Sequence, residues 1–174
     1  IGLSAVLVYA WQVEPQWLSV THLTAPVSLA RALDGQRLAF VSDLHISRDW
    51  PKAEKLLDRL REIAPDYLLI GGDLVAYGGR AEPVVEFLKR LPPTQGTYAV
   101  LGDSDYGEGF RNCIYCHRPG SRELRDDVPV TFLRNQDVAL GDSAITLVGL
   151  DGEERGGWQT ACRRAQQRGD APML

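Results

Sequence analysis

The chain has 174 residues, enough for one domain with a hydrophobic core. Its 44% hydrophobic and 24% charged residues are typical of a globular protein, and no repeat or low-complexity stretch is present. The formal net charge is −4 and no basic run or aromatic-basic stripe occurs, so we expect no nucleic-acid partner.

Residues 1–12 are uncharged and mostly apolar. They are too few to span a bilayer, which needs about 20 residues. One interpretation is a buried helical turn or strand. The other is the end of a membrane anchor or signal segment, which Trp11 and Trp17 favour because aromatic residues flank membrane segments. The chain starts at Ile1 and its one methionine is Met173, so we expect a fragment of a membrane-associated, extracytoplasmic protein.

The remaining chain divides into residues 13–36, predicted to form a strand at 17–23 and a connection, and residues 37–174. In the second part, helical periodicity and proline stops predict helices over 51–63 and 81–91. Apolar runs predict strands over 38–42, 67–70 and 98–101, with shorter strands at 128–133, 138–140 and 144–150. A final helix is predicted around residues 158–165. This order predicts an α/β fold, a mixed sheet flanked by helices.

An acidic motif follows each of the first three strands. Asp43 and His45 follow the first, Asp73 the second and Asp103 the third, at spacings of 73−43 = 30 and 103−73 = 30 residues. Asp and Gly are also common turn residues. Parallel strands, however, bring all three motifs to one edge of the sheet, where ligands bind. Carboxylates combined with imidazole suit Mn²⁺, Fe or Zn²⁺, and we expect two such ions to activate a water for attack on phosphorus.

The motifs Asp43-Leu44-His45, Gly72-Asp73 and Gly102-Asp103-Ser104-Asp105 resemble those of the calcineurin-like metallophosphoesterases, which read Asp-x-His, Gly-Asp and Gly-Asn-His-Asp/Glu. Residues 13–45 and 147–151 further resemble the membrane-anchored bacterial branch of that family. The resemblance covers nearly the whole chain but only the amino-terminal portion of the family's domain. It implies a layered α/β sandwich truncated at the carboxyl end, with residues 37–174 as a partial phosphoesterase domain.

The resemblance also implies a role for each matching position. Asp43 and His45 would bind the first metal, Asp73 would bridge both metals, and Asp103 would replace the family's asparagine on the second. Ser104 stands where the family has a histidine that protonates the leaving group or steadies the phosphate, and Asp105 stands where an acidic residue orients that histidine.

Two departures from the family pattern affect activity. Ser104 cannot act as a general acid near neutral pH, a loss of roughly 10²–10⁴-fold that matters least for leaving groups already stable as anions, as in a pyrophosphate. The family's later histidine motifs have no counterpart, since the three histidines are His22, His45 and His117. We therefore expect an incomplete metal shell, and we interpret His22 as structural.

The segment Cys113-Ile114-Tyr115-Cys116-His117 has the spacing of a covalent haem c attachment motif. Its surroundings are polar, and three alternatives remain open. The cysteines form a disulfide, the loop is held by a structural metal, or His117 approaches the phosphoesterase centre and replaces the imidazole missing at Ser104. Cys162, on the apolar face of the final helix, is interpreted as a small buried residue.

Together these observations predict a metal-dependent hydrolase of a phosphomonoester, phosphodiester or pyrophosphate. A membrane-anchored member would act on a lipid-linked or envelope phosphate. The alternative is a non-hydrolytic haem- or metal-binding module on a degenerate phosphoesterase scaffold, indicated by Ser104 and by the Cys-x-x-Cys-His loop.

Overall fold

The computed structural model describes residues 17–33, 35–107, 113–118, 120–121, 123–141, 145–152 and 157–167, together with residues 2, 6, 7 and 9. Of the predicted membrane or signal segment, residues 1–12, the structure describes only residues 2, 6, 7 and 9. Every helix among the described residues is too short or too polar to cross a bilayer.

A four-stranded parallel sheet forms the centre of the fold, with its strands side by side in chain order. Its members are β1 (Leu38–Val41), β2 (Tyr67–Ile70), β3 (Gly96–Ala99) and β4 (Thr131–Phe132). Two amphipathic helices form the crossovers, α2 (Ala53–Ile63) between β1 and β2 and α3 (Ala81–Lys89) between β2 and β3. Because all strands run in one direction, the loops that follow them meet at one edge.

The two faces of this sheet pack against different partners. Leu68 and Ile70 of β2 pack with the buried side chains of α2 and α3 in the larger hydrophobic cluster. Tyr67, on the opposite face, packs with a short helix, α1 (Val27–Leu33), and with an antiparallel pair, β5 (Gln136–Ala139) and β6 (Thr146–Gly149). The final helix, α4 (Gly157–Gln167), contacts that pair. The result is the layered α/β arrangement expected from the sequence.

Several details differ from the sequence prediction, among them β4, which covers only Thr131–Phe132 of the predicted strand 128–133. Residues 17–26 form no strand, and α1 occupies the predicted connection, where the N–H of Ala30 bonds to the carbonyl of Pro26 at 2.8 Å. Strand β3 begins at Gly96, two residues early, because backbone pairing with β2 outweighs the weak strand preference of glycine. The antiparallel strands form their own two-stranded sheet instead of joining the parallel one.

Candidate metal centre

The loops that leave β1 and β2 stay paired beyond the strands. Backbone hydrogen bonds join them, among them Asp43 N–H to Gly72 O (3.1 Å), His45 N–H to Asp73 O (2.9 Å) and Ile46 N–H to Leu74 O (2.6 Å). The pairing ends in a parallel bridge between the buried residues Ile46 and Val75. The two motifs are therefore held in a defined register instead of lying on free loops.

Three predicted metal ligands occupy the left-handed backbone region within this pairing. Asp43, His45 and Asp73 have φ values of 56°, 45° and 53°. For residues other than glycine this conformation costs about 1–3 kcal/mol each and persists only where the surroundings impose it. Their ligand atoms all lie within 4.8 Å of one another, with Asp43 and His45 exposed and Asp73 half-buried. Two carboxylates and one imidazole thus converge where a single ion can contact all three.

Two glycines allow β2 and β3 to end close together. A Cβ on Gly72, whose φ is +97°, would lie 2.4 Å from the backbone nitrogen of Gly102. A Cβ on Gly102 would lie 2.2 Å from Oδ1 of Asp73. The first clash is with backbone, and the second is with a carboxylate that hydrogen bonds hold in place. Neither group can move aside easily. The close approach of the backbones that follow β2 and β3 therefore requires glycine at positions 72 and 102.

The Asp73 carboxylate is held by the third motif. Its Oδ1 accepts hydrogen bonds from the Ser104 backbone N–H (3.0 Å) and from the Ser104 hydroxyl (2.8 Å). Burial raises the pKa of Asp73, but the Ser104 bonds, a side-chain contact with Asp103 and the charge of His45 together bring that pKa below 3.8. Asp73 is therefore a carboxylate at neutral pH, the form that binds a cation.

A backbone carbonyl orients the imidazole of His45. Nδ1 of His45 lies 3.4 Å from the carbonyl oxygen of Val75. With the proton on Nδ1 donated to this carbonyl, Nε2 carries the lone pair that a metal requires. The Ser104 hydroxyl lies 3.0 Å from the same carbonyl oxygen and 2.8 Å from Asp73. Its single proton is shared between these two acceptors, which ties Ser104 into the frame of the site.

Asp105 is buried beneath the site, with 0% of its surface exposed. Its Oδ1 accepts the backbone N–H groups of Leu74 (2.9 Å) and Val75 (3.0 Å), and its Oδ2 accepts that of Gly102 (2.9 Å). Burial raises the pKa of Asp105, an effect that these backbone donors partly oppose. The expected partnership, in which Asp105 orients the residue at position 104, is replaced by one with the backbone. Asp105 is a positioning residue that joins the second motif to the third.

The Cys-x-x-Cys-His loop packs beside this frame as a separate cluster. Cys113 and Cys116 form a disulfide, and Nδ1 of His117 lies 3.2 Å from the Cys116 sulfur. Burial, together with the positive charge of Arg134, lowers the pKa of His117. His117 thus contacts sulfur and lies in a different group from Asp43, His45 and Asp73. This placement does not favour the alternative in which His117 replaces the imidazole missing at position 104.

Backbone contacts connect this loop to the phosphoesterase motifs. The N–H of Ile114 bonds to the carbonyl of Asp105 at 2.7 Å, and Tyr106 forms a β-bridge with Cys113. Tyr115 is fully buried, and burial followed by the charge of Asp105 raises its pKa well above 10.0. The loop therefore lies against the third motif, directly next to the residue that supports the metal ligands.

The structure brings together some of the predicted site residues and separates others. Asp43, His45 and Asp73 form one group, and Cys113, Cys116 and His117 form another. Asp103 is exposed and contacts Asp73 but lies outside the three-ligand group.

Sequence reasoning missed the carbonyl of Val75 and the side chain of Arg125, which bonds to the carbonyl oxygens of Tyr115 (3.0 Å) and His117 (3.3 Å). A backbone acceptor leaves no trace in residue type. Arg125 lies in a polar stretch where nothing distinguishes it from its neighbours.

A parallel α/β sheet with an Asp-His-Asp cluster at its carboxyl edge defines a candidate metal-dependent hydrolase. The calcineurin-like phosphoesterase family model matches residues 36–155, which is more than half of the chain. The chain therefore belongs to the calcineurin-like phosphoesterase family, as its motifs indicated. No curated protein and no solved structure matches it. The membrane-anchored bacterial branch stays a prediction.

Proposed function

We propose that this chain is a metal-dependent phosphoesterase in which a dinuclear metal centre activates a water to hydrolyse a phosphomonoester, phosphodiester or pyrophosphate. The observation that carries the proposal is the convergence of Asp43, His45 and Asp73, with ligand atoms within 4.8 Å at the carboxyl edge of the sheet. We assign the first ion to these three residues. Asp103, which contacts the Asp73 carboxyl, is assigned to the second ion, with Asp73 shared between the two.

The donor set fits a first-row divalent ion. Two carboxylates and one imidazole suit Mn²⁺, Fe²⁺ or Zn²⁺ better than Ca²⁺, which prefers oxygen alone. When bound, such ions supply Lewis-acid stabilisation of phosphate oxygens and lower the pKa of water. The chain's own contribution is rigidity, because the left-handed ligand residues, the two close glycines and Asp105 hold the donor atoms in place before any ion arrives.

The environment of Ser104 points to the class of substrate. Its hydroxyl is engaged by Asp73 and by the Val75 carbonyl, and a serine hydroxyl does not protonate a leaving group near neutral pH. We therefore propose a substrate whose leaving group is already stable as an anion, such as a pyrophosphate or an activated phosphodiester. The apolar residues 1–12 support a lipid-linked phosphate at an extracytoplasmic membrane surface, an assignment carried by the sequence alone.

The alternative, a non-hydrolytic module on a degenerate scaffold, is not better supported. Its two indications were the serine at position 104 and the Cys-x-x-Cys-His loop. The range matched by the family model, residues 36–155, spans both positions, and the group of Asp43, His45 and Asp73 that could hold a metal lies in the same range. A scaffold that had lost metal binding would have no need to hold Asp43, His45 and Asp73 in strained backbone conformations.

The direct test is hydrolysis of bis-p-nitrophenyl phosphate by the full-length protein, with and without Mn²⁺. Asp73→Asn removes the carboxylate at the centre of the site, and turnover should fall by at least about 100-fold because the nucleophilic water depends on the metal. Asp49→Asn, an exposed carboxylate four residues after His45, is the matched control and should leave turnover unchanged. Metal-dependent turnover that survives Asp73→Asn would contradict the proposal.

A further inference from the structure

We propose that Cys113, Cys116 and His117 form a second metal site, which takes a thiophilic divalent ion such as Zn²⁺ when the Cys113–Cys116 disulfide is reduced. The site is distinct from the phosphoesterase centre, whose donors are oxygen and imidazole nitrogen. It would make metal occupancy of this loop dependent on the redox state of its two cysteines.

The distances among the three donor atoms match those of a tetrahedral zinc site. Zn–S bonds of about 2.3 Å and Zn–N bonds of about 2.0–2.1 Å place sulfur and nitrogen ligands about 3.6 Å apart at a tetrahedral angle. Nδ1 of His117 lies 3.2 Å from the Cys116 sulfur and 3.8 Å from the Cys113 sulfur. The imidazole is therefore already positioned over both sulfurs at about the separation that a shared ion requires.

The movement needed to admit the ion is confined to the sulfurs. Two thiolates on a tetrahedral ion lie about 3.8 Å apart, against about 2.0 Å in a disulfide. The Cα atoms of Cys113 and Cys116 are 5.7 Å apart, so rotation of the two short side chains can supply this difference without moving the backbone. The Cys-x-x-Cys spacing is one that structural zinc sites use.

The loop backbone is arranged to stabilise a thiolate. The backbone N–H of Cys116 points at the Cys113 sulfur, and a hydrogen bond to the charged form of a group favours that form. Arg125, which lies beyond the Cys-x-x-Cys-His segment in the chain, holds this loop through hydrogen bonds to its carbonyl oxygens. Its backbone N–H bonds to the Cys116 carbonyl at 2.7 Å, and its guanidinium binds the carbonyls of Tyr115 and His117. Such outer contacts orient metal ligands before binding.

Burial means that the two thiolates require a neutralising positive charge. Cys116 has no exposed surface, Cys113 has 7%, and both belong to the larger hydrophobic cluster. Two thiolates buried there would be costly without a compensating charge, and a divalent ion neutralises both at once. His117 is only half-buried, which gives the ion a path to solvent and to a water as the fourth ligand.

The chemistry balances with a dithiol reductant. Reduction breaks the Cys113–Cys116 bond, and the two thiols take up two electrons and two protons from the reductant, which becomes a disulfide. The ion then displaces both thiol protons to solvent and is held by two thiolates and the neutral imidazole. Reoxidation by a second disulfide, which takes up the two electrons and two protons from solvent and becomes a dithiol, re-forms the Cys113–Cys116 bond and releases the ion.

Cobalt titration of the full chain tests this proposal. Thiolate–Co²⁺ bonds give a near-ultraviolet charge-transfer band that oxygen and nitrogen donors do not, so the phosphoesterase centre cannot produce it. We expect excess Co²⁺ to generate the band in protein reduced with a phosphine and then desalted, and added Zn²⁺ to remove it. The oxidised protein should give no band. This comparison needs no substitution and is insensitive to folding defects in variants.

Variants then assign the ligands. Cys113→Ser or Cys116→Ser should lose the band, whereas Cys162→Ser and Asp73→Asn should keep it, because Cys162 lies on α4 and Asp73 belongs to the other centre. Three free thiols without a band, or a band that depends on Cys162, would overturn the proposal. A Soret band that survives denaturation, in protein from a cytochrome-maturing host, would also overturn it in favour of covalent haem. None of these outcomes depends on phosphoesterase turnover.

Discussion

The buried carboxylate of Asp105 accepts a hydrogen bond from the backbone N–H of Val75, and the two residues lie 30 positions apart in the chain. The same Oδ1 atom also binds Leu74, and Oδ2 binds Gly102. Val75 in turn presents its carbonyl to His45 and to Ser104. The buried carboxylate of Asp105 thus holds the backbone that carries the metal ligands.

Replacement of Asp105 should destabilise the fold even in the absence of metal. Asp105→Asn puts an N–H₂ group against a backbone N–H and weakens hydrogen bonds to a charged acceptor, each worth about 1.5–3 kcal/mol. We expect the free energy of unfolding to fall by about 2–4 kcal/mol in urea with EDTA present. Asp49→Asn, an exposed carboxylate outside the site, should change it by less than about 0.5 kcal/mol. If Asp105→Asn and the control variant lower the free energy of unfolding equally, the buried hydrogen bonds of Asp105 do not stabilise the fold.

Close backbone approach at Gly102 should be essential to the centre. In Gly102→Ala the new Cβ would lie 2.2 Å from Oδ1 of Asp73, so the carboxylate or the loop must shift. We expect Mn²⁺ affinity, measured by calorimetry, to weaken by at least about tenfold, since a shift of this size misplaces a ligand. Gly152→Ala is the control because its Cβ would meet nothing within 4 Å. Unchanged Mn²⁺ affinity in Gly102→Ala would mean that the site adapts freely.

The hydroxyl of Ser104 should make stability depend on pH through Asp73. The pKa of Asp73 lies below 3.8 in the folded protein, so its contribution to stability is full above pH 3.8 and is lost as pH falls through the lowered value. Ser104→Ala removes one of the bonds that lower this pKa. We expect a loss of stability that is largest above pH 3.8 and shrinks at lower pH, measured by urea unfolding of metal-free protein.

Ser121→Ala is the control for that titration. The Ser121 hydroxyl accepts the Glu123 N–H and does not contact Asp73. Its effect on stability should not vary across the same pH range, and carboxyl NMR should find the Asp73 pKa unchanged. If the two serine variants have parallel pH profiles, the link between Ser104 and Asp73 is wrong.

The absence of an imidazole at position 104 should make turnover depend steeply on the leaving group. Without a general acid, an ester of p-nitrophenol should react much faster than one of an alkyl alcohol, because the departing oxygen carries full negative charge. Ser104→His should raise turnover of the alkyl ester by up to about 10²-fold and leave the p-nitrophenyl ester nearly unchanged. If turnover by the native protein is similar for the p-nitrophenyl and alkyl esters, another group donates the proton to the leaving group.

The sequence by itself determined the βα period and the placement of the metal motifs. Apolar runs and helical periodicity located β1, β2, α2 and α3 to within two residues of their observed ends. Because parallel strands end at one edge of a sheet, the sequence also predicted that Asp43, His45 and Asp73 lie close together. These features rest on local patterns and on chain connectivity, and both can be read along a chain.

Only the tertiary structure decided the partners of the remaining groups. That Asp105 binds the backbone of a loop 30 residues away, that Ser104 bonds to Asp73, and that His117 lies over two sulfurs are consequences of packing between distant segments. Strand β3 begins at Gly96 for the same reason, since its start is set by hydrogen bonds to β2. Residue type records what a side chain can bind, whereas the fold selects which available group it meets.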